Sequence, residues 1–133
     1  MLDYKLINDG SGLNLYTKFN LDTGSNYAWR GSDNGGTDST GTSTDRINDV
    51  VSVDPASQVI YCNYSIINDS ANEKLIEGST VANNQNGAGN APERREFVGK
   101  YANTSDAITK IKLTNTGGGD FAEGSEVTVY GTD

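Results

Sequence analysis

Residues Tyr101–Gly131, YANTSDAITKIKLTNTGGGDFAEGSEVTVYG, decide the fold class. Within them Ile111 and Leu113 alternate with Lys110, Lys112 and Thr114, and Val127 and Val129 alternate with Glu126, Thr128 and Tyr130. Successive side chains of an extended chain point to opposite faces, so this period of two predicts two half-buried β-strands. Asn115-Thr116-Gly117-Gly118-Gly119-Asp120 between them is a cluster of turn formers that continues neither strand.

The same pattern recurs towards the N-terminus. Further strands are predicted at Tyr4–Ile7, Leu13–Asn20, Asn26–Arg30, Ile47–Val53, Gln58–Asn68, Leu75–Val81 and Arg95–Tyr101, with the two C-terminal ones at Ile108–Thr114 and Glu126–Gly131. Nearly all are bounded by Gly, Asn, Asp or Ser. Ser70–Glu77 offers an N-cap in Ser70 and a capping-box glutamate in Glu73, enough for a turn or two of helix. Its β-like flanks favour strand. Gly31–Asp45 holds no apolar residue and is expected to be a long exposed loop, as is Asn83–Pro92. Many short strands without long helices predict an all-β, antiparallel two-sheet sandwich with two long polar loops, one domain spanning residues 1–133. Pattern alone does not separate a jelly roll from an immunoglobulin-like Greek key, although the missing Cys…Trp…Cys arrangement weakens the latter.

The apolar fraction is 34%, below the usual ~45–50%; part of that gap reflects a count that leaves out the 16 glycines, and the low value fits many turns around a thin core or a core completed by neighbouring chains. No window approaches the ~18 apolar residues of a membrane helix, and Met1-Leu2-Asp3-Tyr4 lacks the basic-then-apolar layout of a signal peptide. Eighteen acidic against 10 basic residues give a formal charge of −8, which repels phosphate backbones and argues against nucleic-acid binding. The single cysteine, Cys62, shares a strand face with Ile60, Tyr64 and Ile66 and reads as a small buried hydrophobe in a chain made in a reducing cytoplasm.

Catalytic chemistry is sparsely represented. The chain has no histidine, which removes Ser-His-Asp and Cys-His nucleophiles, imidazole metal ligands and imidazole proton shuttles. No cofactor fingerprint is present, and Gly117-Gly118-Gly119 joins strands, not a strand to a helix. Asp22 and Asp33 could form a glycosidase-like carboxylate pair across a loop, but carboxylates in turns are ordinarily solvated. Asp33, Asn34, Asp38 and Asp45 are oxygen donors without EF-hand spacing and read as turn formers. In Asn20–Asn26, Asp22 and Asn26 are expected to satisfy backbone donors and Gly24 to take a positive φ. Tyr27, Trp29 and Arg30 are the binding candidates, since aromatic rings with an arginine are common at interfaces and on glycan-binding surfaces. The alternative places both rings in the core. Arg94-Arg95, flanked by Glu93 and Glu96, reads as a self-compensated solvated surface.

Two blocks carry a family resemblance. Ala107-Ile108-Thr109, Ile111, Leu113, Phe121, Gly124-Ser125 and Tyr130-Gly131 form one, and Phe19-Asn20-Leu21-Asp22-Thr23-Gly24-Ser25-Asn26-Tyr27 the other; Ile66-Ile67-Asn68 fits more loosely. Together they resemble the C-terminal β-sandwich module of tailed-bacteriophage virion proteins, both tail fibres or spikes and head decoration proteins. The resemblance implies a jelly-roll-like sandwich in a virion and implies no chemistry. It leads to the expectation of a non-enzymatic structural protein with no cofactor. Because the module starts at Met1, with no attachment segment before it, capsid decoration is favoured over a glycan-binding tail fibre or spike head. The expected partners are the major capsid protein or other virion proteins, further copies of the chain (a trimer by analogy with other virion sandwiches) and, in the alternative, host glycans. Neither nucleic acid nor membrane is expected as a partner.

Overall fold

The computed structural model describes residues 1–9, 12–49, 59–83 and 85–131, and among them there is no helix. Nine strands run in chain order: β1 Leu2–Ile7, β2 Leu15–Phe19, β3 Tyr27–Asp33, β4 Ser39–Thr44, β5 Val59–Ile67, β6 Lys74–Ala82, β7 Glu93–Tyr101, β8 Ile111–Asn115 and β9 Glu126–Val129. Seven form one antiparallel sheet in the order β4-β3-β7-β6-β5-β1-β9, and β2 and β8 pair as a second, small sheet. The protein is therefore all-β and sandwich-like, with layers of very unequal width.

The period-two pattern accounts for the core. On the inner face of the large sheet one rung reads Gly31, Phe97, Gly78, Tyr64, Leu2, Val129, and another Asp33, Arg95, Thr80, Cys62, Tyr4, Val127. The small sheet contributes Leu15, Thr17 and Phe19 from below, joined by Leu13 and Ile47. Gly78 sits in mid-sheet because a Cβ there would collide with the Asn63 carbonyl and lie 2.6 Å from the Phe97 ring. That ring packs edge-on against Tyr64 at 5.1 Å.

Several local expectations change. Gly31–Asp45 is mostly strand: β3 runs on to Asp33, a turn closes with Gly36 N–H donating to the Asp33 carbonyl at 2.8 Å, and β4 returns along β3. A ladder is made of backbone groups, and Ser/Thr-rich β4 satisfies them without burying an apolar side chain. The 83–92 segment stays exposed and outside strands where described. The 70–77 segment is a turn followed by β6, as its flanks suggested. Of Ile47–Val53, Ile47 bridges to Thr17, and residues 50–53 lie outside the described residues. In the Asn20–Asn26 turn the left-handed residues are Asn20 (φ 52°) and Leu21 (φ 57°), not Gly24. Gly24 is needed for space, since a Cβ would come within 2.9 Å of the Asn26 amide and 3.1 Å of the Asp22 carboxylate.

Asn20 and Asn68 join the blocks that were recognised separately. The Asn20 amide donates to the Ala107 carbonyl (2.9 Å) and its Oδ1 accepts from the N–H of Thr109 (2.8 Å) and Lys110 (3.2 Å). Asn68 brackets Ile108, donating to its carbonyl (3.0 Å) and accepting from its N–H (2.6 Å). Two side-chain amides thus stand in for strand partners just before β8 begins.

Candidate functional site

The outer face of the large sheet carries an uncovered apolar stripe. Ile67 and Leu75 are cross-strand partners on β5 and β6, and Val98 lies one rung away on β7; each is more than half exposed. Ala28 extends the stripe onto β3, opposite Lys100. Two cations at its rim are ion-paired, Lys100 Nζ 2.9 Å from Glu73 and Arg30 3.0 Å from Asp38, while the Glu77 carboxylate opposite Val98 forms no ion pair among the described residues. Beside it an open trough of about 550 Å³ runs over Gly31 and Gly78, lined by Arg30, Asp38, Asn63, Ser65, Glu77 and Glu96 among others.

The three binding candidates do not converge. Tyr27 is core: its ring stacks on Tyr101 at 4.9 Å and its hydroxyl accepts from Phe19 N–H at 2.9 Å, while burial pushes its pKa up to about 12. Trp29 follows on the same inner face, half-buried at the margin of the core beneath β4, with the Arg95 guanidinium 5.4 Å from its ring. Arg30 alone reaches the outer surface, between the stripe and the trough.

Arg95 corrects the expectation for the Arg94-Arg95 pair. Arg94 is exposed beside Glu96 at 3.5 Å, whereas Arg95 is 2% exposed. Its guanidinium donates to Asp33 (2.7 Å), the Asn48 carbonyl (3.3 Å) and Ser39 Oγ (3.4 Å). Adjacent residues of a strand face opposite ways, so one arginine of the pair had to point inward, and Asp33 lies across β3 to receive it.

The turn carboxylates are likewise committed. Asp22 accepts from Gly24 N–H (2.7 Å), Asn26 (2.8 Å) and Tyr101 (3.0 Å), and chiefly the Asn26 bond holds its pKa low. Asp45 is lowered to about 2 by its bonds to Arg46 and Lys18, both at 2.6 Å. Asp22 and Asp33 serve opposite ends of β3, ~20 Å apart by strand rise, and form no pair. Among the described residues no cluster of acidic and cysteine side chains could hold a metal ion.

Inside the sandwich lies a polar knot that the sequence did not signal. Asp49 is fully buried, with Oδ2 accepting from Thr17 (2.6 Å) and, more distantly, Tyr4 (3.4 Å). Thr17 spends its only proton on Asp49, so Tyr64 donates to Thr17 Oγ1 at 2.8 Å. Thr80 donates to the Asp49 carbonyl at 2.6 Å and lies 3.2 Å from Cys62 Sγ. Burial raises the Asp49 carboxyl to about 7 and the Cys62 thiol to about 12. Both groups are closed to solvent. At another corner the buried Lys74 ammonium donates to the carbonyls of Asn72 (2.9 Å), Asn103 (2.5 Å) and, at longer range, Ser70 (3.5 Å).

A second apolar surface lies at the β9 edge. Val127 and Val129 occupy inner-face positions opposite Tyr4 and Leu2, yet are 52% and 63% exposed, because the two-stranded layer below does not extend that far. An open slot of about 550 Å³ results, lined by Leu6, Ile108, Ile111, Phe121, Val127 and Val129 among others. The alternation placed both valines on the correct face; their exposure depends on the width of the opposing sheet, which no local pattern encodes. No family model, curated protein or solved structure matches the chain.

Proposed function

We propose that this chain is a non-enzymatic structural protein of a bacteriophage particle, docking through its large sheet on an assembled virion surface, with decoration of the capsid as the preferred role. The observation that carries it is the pair of uncovered apolar surfaces, the Ile67–Leu75–Val98 stripe and the β9 slot, on a sandwich-like module whose two sequence blocks resemble phage virion modules. Contiguous exposed apolar area marks interaction surfaces. Lys100 and Arg30 at its rim meet a partner as ion pairs, which lowers the cost of covering them. A jelly-roll-like connectivity and association of copies through sheet edges belong to the same proposal. A patch of ordinary size, ~800 Å² per partner, repeated over a shell reinforces it by binding only the assembled state.

The test is location and copy number. Electron microscopy of particles with and without the protein is expected to place hundreds of copies on the head. A handful at the tail, with adsorption blocked by antibody against this chain, supports instead the glycan-binding fibre or spike head. The trough beside Arg30 favours that second reading, because its amide, hydroxyl and carboxylate groups are of the kind that bind sugar hydroxyls.

A further inference from the structure

We infer that β9 is a homodimerisation strand, pairing antiparallel with β9 of a second copy about a twofold axis through Thr128. This deepens the self-association in the reading above by naming its strand, register and symmetry. The first observation is the direction of the backbone groups. Met1 and Tyr130 exchange both hydrogen bonds at 2.7 Å, so in the alternating ladder Asp3–Thr128 and Lys5–Glu126 are the hydrogen-bonded rungs. The N–H and C=O groups of Val127 and Val129 therefore point away from β1, along the open edge of the sheet.

That edge is self-complementary. Centred on Thr128, antiparallel pairing sets Val127 of each copy opposite Val129 of the other, as hydrogen-bonded pairs using the groups that now face outward. On the inner face the valines of both copies meet as β-branched cross-strand pairs, and the two slots adjoin across the axis. On the outer face Thr128 meets Thr128, and Glu126 falls opposite Tyr130. At each end of the seam Ser125 falls opposite Gly131. Among the described residues no like charges face each other. Lys5 stands 3.9 Å from Glu126 within each copy, and the Asp3 carboxylates lie three strand spacings apart, ~14 Å, beyond the screening length of physiological salt. The opposite edge of the sheet, β4, offers no apolar side chain for such a seam. The occupant is thus a second copy, because the edge supplies its own complement in hydrogen bonds, apolar side chains and charge.

Cysteine cross-linking of the full chain tests the register. Thr128 is exposed, and the partner Cα in a non-hydrogen-bonded pair is ~4.5 Å away, within disulfide reach. Thr128→Cys is expected to form a covalent dimer under mild oxidation, with Cys62 spared by burial. Glu126→Cys, ~14 Å from its own copy in this register, is expected to stay uncross-linked. Amide exchange at Val127 and Val129 is expected to slow with protein concentration, while Thr128, already bonded to β1, is unaffected. Val127→Glu combined with Val129→Glu is expected to weaken association at least ~100-fold, from like charges brought together on the seam. A wild-type protein that stays monomeric at millimolar concentration overturns the inference, as does a trimer without the Thr128→Cys link, or equal linkage of the two cysteine variants. These measurements use the isolated protein, so they are decided separately from particle docking.

Discussion

Thr17 Oγ1 stands 2.6 Å from Oδ2 of Asp49, while Oδ1 of the same carboxylate is buried without a hydrogen-bond partner among the described residues. A carboxylate so placed is satisfied on one side only. Desolvation raises its pKa from 3.8 to about 7 against the lowering effects of the Thr17 bond, its own backbone, the Tyr4 bond and the charge of Arg95. The folded state therefore holds a proton that the unfolded chain releases near pH 4.

Stability is expected to fall as pH rises. Between the unfolded pKa of about 4 and the folded one of about 7 the native state binds more protons, so each unit upward in that window destabilises the fold. The contribution is complete below about pH 4 and is lost above about 7, a change on the order of a few kcal/mol. Asp49→Asn removes the titrating group and is expected to flatten the midpoint-versus-pH profile across that window. Thermal melts over the same range check it; a profile for the variant as steep as that of the wild type refutes it.

Arg95→Lys is expected to cost ~2–3 kcal/mol. A lysine cannot reach Asp33, Asn48 and Ser39 together and loses the planar contact with Trp29. The half-exposed Asp33 stays hydrated after the change, which keeps the cost below that of breaking a fully buried pair. Trp29 is the only tryptophan, so its emission should shift to the red in the variant while the sheet persists by circular dichroism.

Gly78→Ala is expected to destabilise by ~1–3 kcal/mol through overpacking, since the added methyl meets the Asn63 carbonyl and the Phe97 ring in the middle of the sheet. Gly89→Ala, with nothing within 4 Å of the new methyl, should be close to neutral. Denaturant titration of the two variants side by side gives the difference.

Cys62 is expected to resist thiol reagents in the native state under mildly alkaline conditions. Burial and the neighbouring Asp49 charge push its pKa up to about 12, so both access and thiolate are lacking. Modification should proceed at the rate of unfolding; labelling as fast as in denaturant would contradict the burial.

The sequence made the strands legible wherever apolar residues alternate, as at Ile60, Cys62, Tyr64 and Ile66 on β5. It hid β4, because Ser39–Thr44 contributes only backbone to the sheet and exposes most of its side chains. It also hid Arg95. The flanking glutamates suggest solvent, and the partner that draws the guanidinium inward is Asp33, far away in the chain. Of the surfaces, the phase of Val127 and Val129 was readable, but their exposure depends on what lies beneath them. Tyr27 and Trp29 were conspicuous as residue types, yet the apolar stripe is assembled from Ile67, Leu75 and Val98 on three different strands, and only their register brings them together.

The Lys74 ammonium has one more consequence. Carbonyl oxygens gathered from two separate segments, Ser70–Asn72 and Asn103, form the kind of oxygen-lined corner that in other proteins recruits a dissolved ion. Here the positive charge arrives tethered to the backbone of β6, at an effective concentration that neither dilution nor a chelator can lower. The corner that ties β6 to the segment after β7 is thereby indifferent to the ionic composition outside, and its closure is inherited with the sequence instead of being borrowed from the medium.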